Sequence, residues 1–69
     1  MMEKVILNVQ GMSCGHCVNS IEGSVGKLNG VSKVNVHLEN GTVDVEFNDK
    51  EVTLEKIKET IDEQGYDVN

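Results

Sequence analysis

The stretch Gly11-Met12-Ser13-Cys14-Gly15-His16-Cys17 holds the chain's only 2 cysteines and one of its 2 histidines. Two thiols at this spacing converge on one point, where they can hold a soft metal ion or exchange with a disulfide. A structural staple is the poorer use. A Cys14–Cys17 bridge closes a very short loop, and short loops add little stability in the chain-entropy model. The pattern places Cys14 in a loop and Cys17 in the first turn of a following helix. The unbonded N–H groups and positive end of such a helix favour thiolate over thiol. Two thiolates do not complete the tetrahedral shell of a structural Zn²⁺ site. They suit a soft ion of low coordination number, Cu(I) first among them. An ion held so sparsely is also transferable, because an incoming thiolate attacks it before the first ligands leave.

The elements that must position this loop follow from hydrophobic periodicity. Val5, Leu7 and Val9 recur at period two, a strand with one buried face. From about Gly15 the period changes, and Val18, Ile21, Val25 and Leu28 form a helical stripe with Cys17 at its edge. Gly23 and Gly26 weaken that helix, since an interior Gly costs ~1 kcal/mol relative to Ala, and Gly30 suits the turn beyond it. Val34, Val36 and Leu38 alternate with polar residues, as do Val43, Val45 and Phe47. Asn40-Gly41 between them is a two-residue hairpin signal. Leu54, Ile57 and Ile61 make a second helical stripe, with Thr53 as N-cap and Gly65 as stop. The segment Tyr66-Asp67-Val68 is short enough for a closing edge strand.

The order βαββαβ is the ferredoxin-like split βαβ pattern, an α+β fold with a four-stranded antiparallel sheet and two helices on one face. Residues 1–69 make one domain at most. In this topology the loop from Gly11 to Gly15 sits at one end of the sheet. The second helix returns the chain to that end, and the last strand lies beside the first. Tyr66 is therefore expected beside the cysteine loop.

Composition narrows the partners. Twelve acidic residues against 6 basic ones give a formal net charge of −6. Phosphate-backbone affinity comes largely from Lys and Arg, so nucleic acid is disfavoured. The charge either steers the protein toward a basic partner or keeps a small chain soluble. No stretch approaches the ~18 apolar residues that span a bilayer, and the N-terminus lacks a signal-peptide pattern. A cytoplasmic protein is the expectation, and in that reducing compartment C-x-x-C reads as metal-binding or redox-active.

With a strand before it, a helix after it and a βαββαβ pattern around it, "GMSCGHC" resembles the heavy-metal-associated domain family, whose signature is Gly-Met-x-Cys-x-x-Cys. "GVSKVNVHLENGTVDVEF" and "IDEQGYDV" extend the similarity over essentially the whole chain. Within the family the chain most resembles small free-standing bacterial copper chaperones. The resemblance implies a non-enzymatic carrier that holds Cu(I) between Cys14 and Cys17. It implies delivery to a copper-exporting P-type ATPase through that protein's N-terminal metal-binding domains, with a copper-responsive repressor as a further recipient. Relatives that handle Zn, Cd or Pb often carry an acidic residue just before the first cysteine. Ser13 stands there, which lowers the Zn reading. A protein that is monomeric without metal and bridged into a dimer by shared copper also fits two-coordinate ligation.

The neighbouring residues each have a plainer reading. Met12 offers a thioether, but a flexible apolar side chain there more often packs into the core and props the loop; the resemblance implies the same. His16 adjoins Cys17 and points about 100° away from it on a helix. It is read as an exposed residue that tunes the cysteines or meets the partner. Tyr66 is either an ordinary edge-strand aromatic or a cover over the site whose hydroxyl donates near a sulfur. His37, Asp44, Glu46, Asp62 and Glu63 read as a solvated polar surface. Two rival functions remain: a regulatory metal-binding domain of a P-type ATPase, and a thiol–disulfide oxidoreductase. The second is weakened by short length and by the absence of Pro between the cysteines.

Overall fold

The computed structural model describes residues 2–12 and 15–68; Ser13 and Cys14, named above, lie outside the described residues. The chain forms β1 (Met2–Gln10), α1 (Gly15–Val25), β2 (Val31–His37), β3 (Thr42–Asn48), α2 (Leu54–Glu63) and β4 (Asp67–Val68). This is the expected βαββαβ order. The strands make one open sheet in the order β2-β3-β1-β4, with every neighbouring pair antiparallel.

β3 is flanked by partners on both sides, and its burial alternates without a fault: Val43, Val45 and Phe47 are buried between half-buried polar residues. Leu7 and Val9 of β1 join them, and α1 and α2 cover this face with Ile21, Val25, Ile57 and Ile61. Each such side chain contributes ~1.5–3 kcal/mol when fully buried, so a chain this small depends on placing every one of them. The other face meets water. Ile6, between buried Leu7 and half-buried Val5, points there and remains 66% exposed.

Helix ends follow their local chemistry. Thr53 caps α2, its hydroxyl accepting from the Lys56 N–H at 3.1 Å. Gly65 follows the helix at φ +97°, the left-handed conformation that stops helices without a Cβ penalty. α1 stops at Val25, one turn short of Leu28. Leu28 instead opens a turn, closed by the Val31 N–H donating to its carbonyl at 3.1 Å.

Two expectations shift in detail. The hairpin uses four residues, 38–41, and not the two-residue Asn40-Gly41 turn, because His37 pairs with Thr42. A type I′ turn needs positive φ at both central residues, and only Gly41 has it, at +69°. Polar–apolar alternation is blind to a register change of two residues, since both registers bury the same face. The second shift concerns α1, where Cys17 is buried and Val18 only half-buried. The inward row is Cys17, Ile21 and Val25, so Cys17 belongs to the stripe and not to its edge. Among the described residues, no helix is long and apolar enough to cross a membrane.

Candidate metal centre

The cysteine loop emerges where β1 ends. Gly11 turns the chain there at φ +98°, a conformation that L side chains rarely adopt. Met12 then folds back and packs, half-buried, against the hydrophobic core. The expected packing of Met12 against the core is present. After Ser13 and Cys14 the chain enters α1, whose first turn exposes Gly15 and His16 and buries Cys17 to 7% exposure. The sulfur side of Cys17 thus belongs to the row that includes Ile21, one helical turn and a little more along the same face.

Two structures hold the base of the loop. On one side lies the β2–β3 turn, whose Gly41 carbonyl accepts a hydrogen bond from the Val9 N–H at 2.8 Å. On the other side β4 pairs with the end of β1, Val9 with Val68 and Gln10 with Asp67. That pairing carries the preceding residue, Tyr66, to the loop. A methyl group placed on Gly11 would touch Tyr66 Cδ1 at 3.6 Å. Tyr66 is half-buried and packs against the core. The expected neighbourhood of Tyr66 and the loop is therefore present. The support from Gly41 escaped the sequence reading, because the two-residue hairpin inferred from Asn40-Gly41 carried no information about which strand its carbonyl would meet.

The electrostatics of the helix end are simple. The first turn of α1 carries no acidic residue. The positive partial charge of its N-terminus is therefore available to an anionic ligand and is not spent on a carboxylate of the helix itself. His16 is adjacent to Cys17 in sequence yet lies on the exposed side of the helix. Among the described residues no group of three or more His, Cys, Asp or Glu side chains gathers where it could hold a metal ion. His37, at the end of β2 near the hairpin turn, is engaged on the open face, its Nε2 3.0 Å from Asp44 Oδ2. The solvated reading of His37 holds, with a carboxylate partner added.

The chain is similar to known proteins over nearly its whole length. The heavy-metal-associated domain model matches residues 6–67. The chain is 54% identical over 67 residues to the copper chaperone CopZ of Staphylococcus epidermidis, covering 97% of this chain and 98% of that protein. Among solved structures, it superimposes on the putative copper-ion-binding protein from Bacillus anthracis with a TM-score of 0.97 at 55% identity, covering 100% of this chain and 97% of the other. It also superimposes on the N-terminal domain of a potential copper-translocating P-type ATPase from Bacillus subtilis in the Cu(I)-loaded state. That match has a TM-score of 0.95 at 38% identity and covers 100% of this chain and 86% of the other. Fold and sequence agree over nearly the full length, and the chain belongs to the heavy-metal-associated domain family.

Proposed function

We propose that this chain is a cytoplasmic Cu(I) carrier in which Cys14 and Cys17 hold the ion. It passes the ion by thiolate exchange to the N-terminal metal-binding domains of a copper-exporting P-type ATPase, with a copper-responsive repressor as a second recipient. Cargo transfer, not turnover of a substrate, is its work, and residues 1–69 act as one domain. The observation that carries this reading is the setting of Cys17. It lies in the first turn of α1 at 7% exposure, while Gly11, Gly15 and His16 are exposed. One ligand is then held in a buried row next to exposed residues that an approaching thiolate can meet. Relatives at about half identity that are named as copper chaperones support copper as the cargo. The lower identity to the ATPase domain, 38%, favours the chaperone over the regulatory-domain reading.

Exchange proceeds without a free ion in solution. An incoming thiolate binds the copper, and one of the two first ligands leaves while the other still holds it. Ser13 adds no carboxylate to the shell, in keeping with a soft cargo. His16 sits on the approach side and meets the partner. Tyr66 covers the loop at Gly11 and limits water access. Copper shared between two molecules would produce the dimer, and the metal-free chain is the monomer.

The test is an anaerobic titration of reduced protein with Cu(I) against a competing chelator, with Zn²⁺ in parallel. Cu(I) should bind tightly and Zn²⁺ much more weakly. Cys14→Ala and Cys17→Ala should each abolish competition, and His16→Ala should weaken it far less than either. Tyr66→Phe should change metal retention more than thermal stability. Cu(I) binding that survives loss of both cysteines, or catalytic turnover of a disulfide substrate, would defeat the proposal.

A further inference from the structure

The chain contains two Asn-Gly pairs, Asn29-Gly30 and Asn40-Gly41. In such a pair the backbone nitrogen of the glycine can attack the asparagine side-chain amide. Solvent base removes the glycine N–H proton, a bond forms from that nitrogen to Cγ, and the Cγ–Nδ2 bond breaks with release of ammonia. Water then opens the resulting succinimide at either carbonyl, leaving Asp or isoaspartate. Atoms balance with water as the sole co-reactant.

The two pairs are closely matched. Both asparagines are exposed and both glycines half-buried. Both glycines have positive φ, +97° at Gly30 and +69° at Gly41. Both glycine carbonyls accept a backbone hydrogen bond, Gly30 from Asn48 at 2.7 Å and Gly41 from Val9 at 2.8 Å. They differ at the attacking atom. The Gly41 N–H donates to the His37 carbonyl at 2.9 Å and leans toward the Leu38 carbonyl at 3.3 Å. The Gly30 N–H has no acceptor among the described residues, because it belongs to the central peptide of the Leu28–Val31 turn. Attack at Asn40 must first break a hydrogen bond; attack at Asn29 need not.

We infer that Asn29 is the preferred site of spontaneous deamidation in the folded protein, and that the hairpin protects the chemically equivalent Asn40. The product matters to the fold. Isoaspartate lengthens the main chain within a turn that has no slack, where even a methyl on Gly30 would come within 2.7 Å of Glu51 Cβ. The change falls at the end of the sheet opposite Gly11, since β2 begins there with Val31 across from Phe47. Each event adds one negative charge to a chain of formal net charge −6.

Reduced protein is incubated at mildly alkaline pH, folded and in urea, and peptide mapping by mass spectrometry quantifies Asp and isoaspartate at each position. In the folded protein Asn29 should convert about fivefold faster than Asn40, the factor that one net hydrogen bond of ~1 kcal/mol supplies. In urea the two should convert at matching rates, since each is followed by glycine. Asn29→Gln should remove the faster phase and leave the slower one. Conversion of Asn40 as fast as Asn29 in the folded protein overturns the inference. So does a folded protein in which neither site converts while the urea-unfolded chain converts both.

Discussion

The burial of Cys17 sets up a sharp contrast between two substitutions that both remove the thiol. Cys17 is 7% exposed and in register with Ile21 and Val25, which are fully buried. Replacing it by Ala removes a sulfur atom and leaves a small apolar group. The lost packing is offset in part by the higher helix propensity of Ala. Replacing it by Ser removes the same sulfur and adds a hydroxyl at a position that faces the core. Burying a hydroxyl there costs ~0.5–2 kcal/mol even where part of its hydrogen bonding is restored. Taking ~1 kcal/mol as the difference, and ~4–8 °C per kcal/mol for a domain of this size, Cys17→Ser should melt about 4–8 °C below Cys17→Ala. The assay is thermal unfolding by far-ultraviolet circular dichroism, metal-free and with reductant and chelator present. Both variants should lose Cu(I) competition. If they melt together, the Cys17 side chain does not occupy the apolar row and the anchored-ligand argument fails. The contrast also selects Ala over Ser as the control in metal titrations, because a Ser variant confounds loss of a ligand with loss of fold.

Other substitutions test the scaffold. Gly30→Ala combines positive φ with a Cβ placed 2.7 Å from Glu51 Cβ and 3.1 Å from Val52 Cγ1. Strain of ~1–3 kcal/mol and overpacking of ~1–3 kcal/mol should together lower the urea midpoint markedly. Gly23→Ala, within α1 with nothing within 4 Å of the new methyl, should raise it by ~1 kcal/mol in stability. Thr53→Ala removes the hydroxyl that accepts from the Lys56 N–H at 3.1 Å. It should cost ~1 kcal/mol in chemical denaturation without changing Cu(I) competition.

Most of the architecture was legible because it rests on periodicity. β3 is an unbroken period-two strand and α2 an amphipathic helix with a capping Thr and a stopping Gly; each local signal agrees with the global fold. What was not legible turned on choices that periodicity leaves degenerate. Registers two residues apart in the hairpin bury the same side chains, and the backbone conformation of Asn40 decides between them. The length of α1 was overestimated because Leu28 continues the helical spacing. The residue nevertheless packs against the core from the turn beyond the helix, so an apolar contact survived while the helix ended at Val25.

The site shows the same division. The pair Cys14 and Cys17 with its flanking glycines is a chemical signal that composition and spacing reveal directly. The approach of Tyr66 required only strand order. The inward rotation of Cys17 was harder to see, since Val18 fits the helical stripe as well as Cys17 does when counted from Ile21. Spacings of three and four residues both lie on one helix face. The structure resolves this in favour of the four-residue spacing, Cys17 to Ile21 to Val25. The consequence reaches function. A side chain held in a buried row has little room to follow a departing ion, so on the proposed ligation Cys17 should be the last thiolate to release it, and Cys17→Ala should speed Cu(I) loss to a competing chelator.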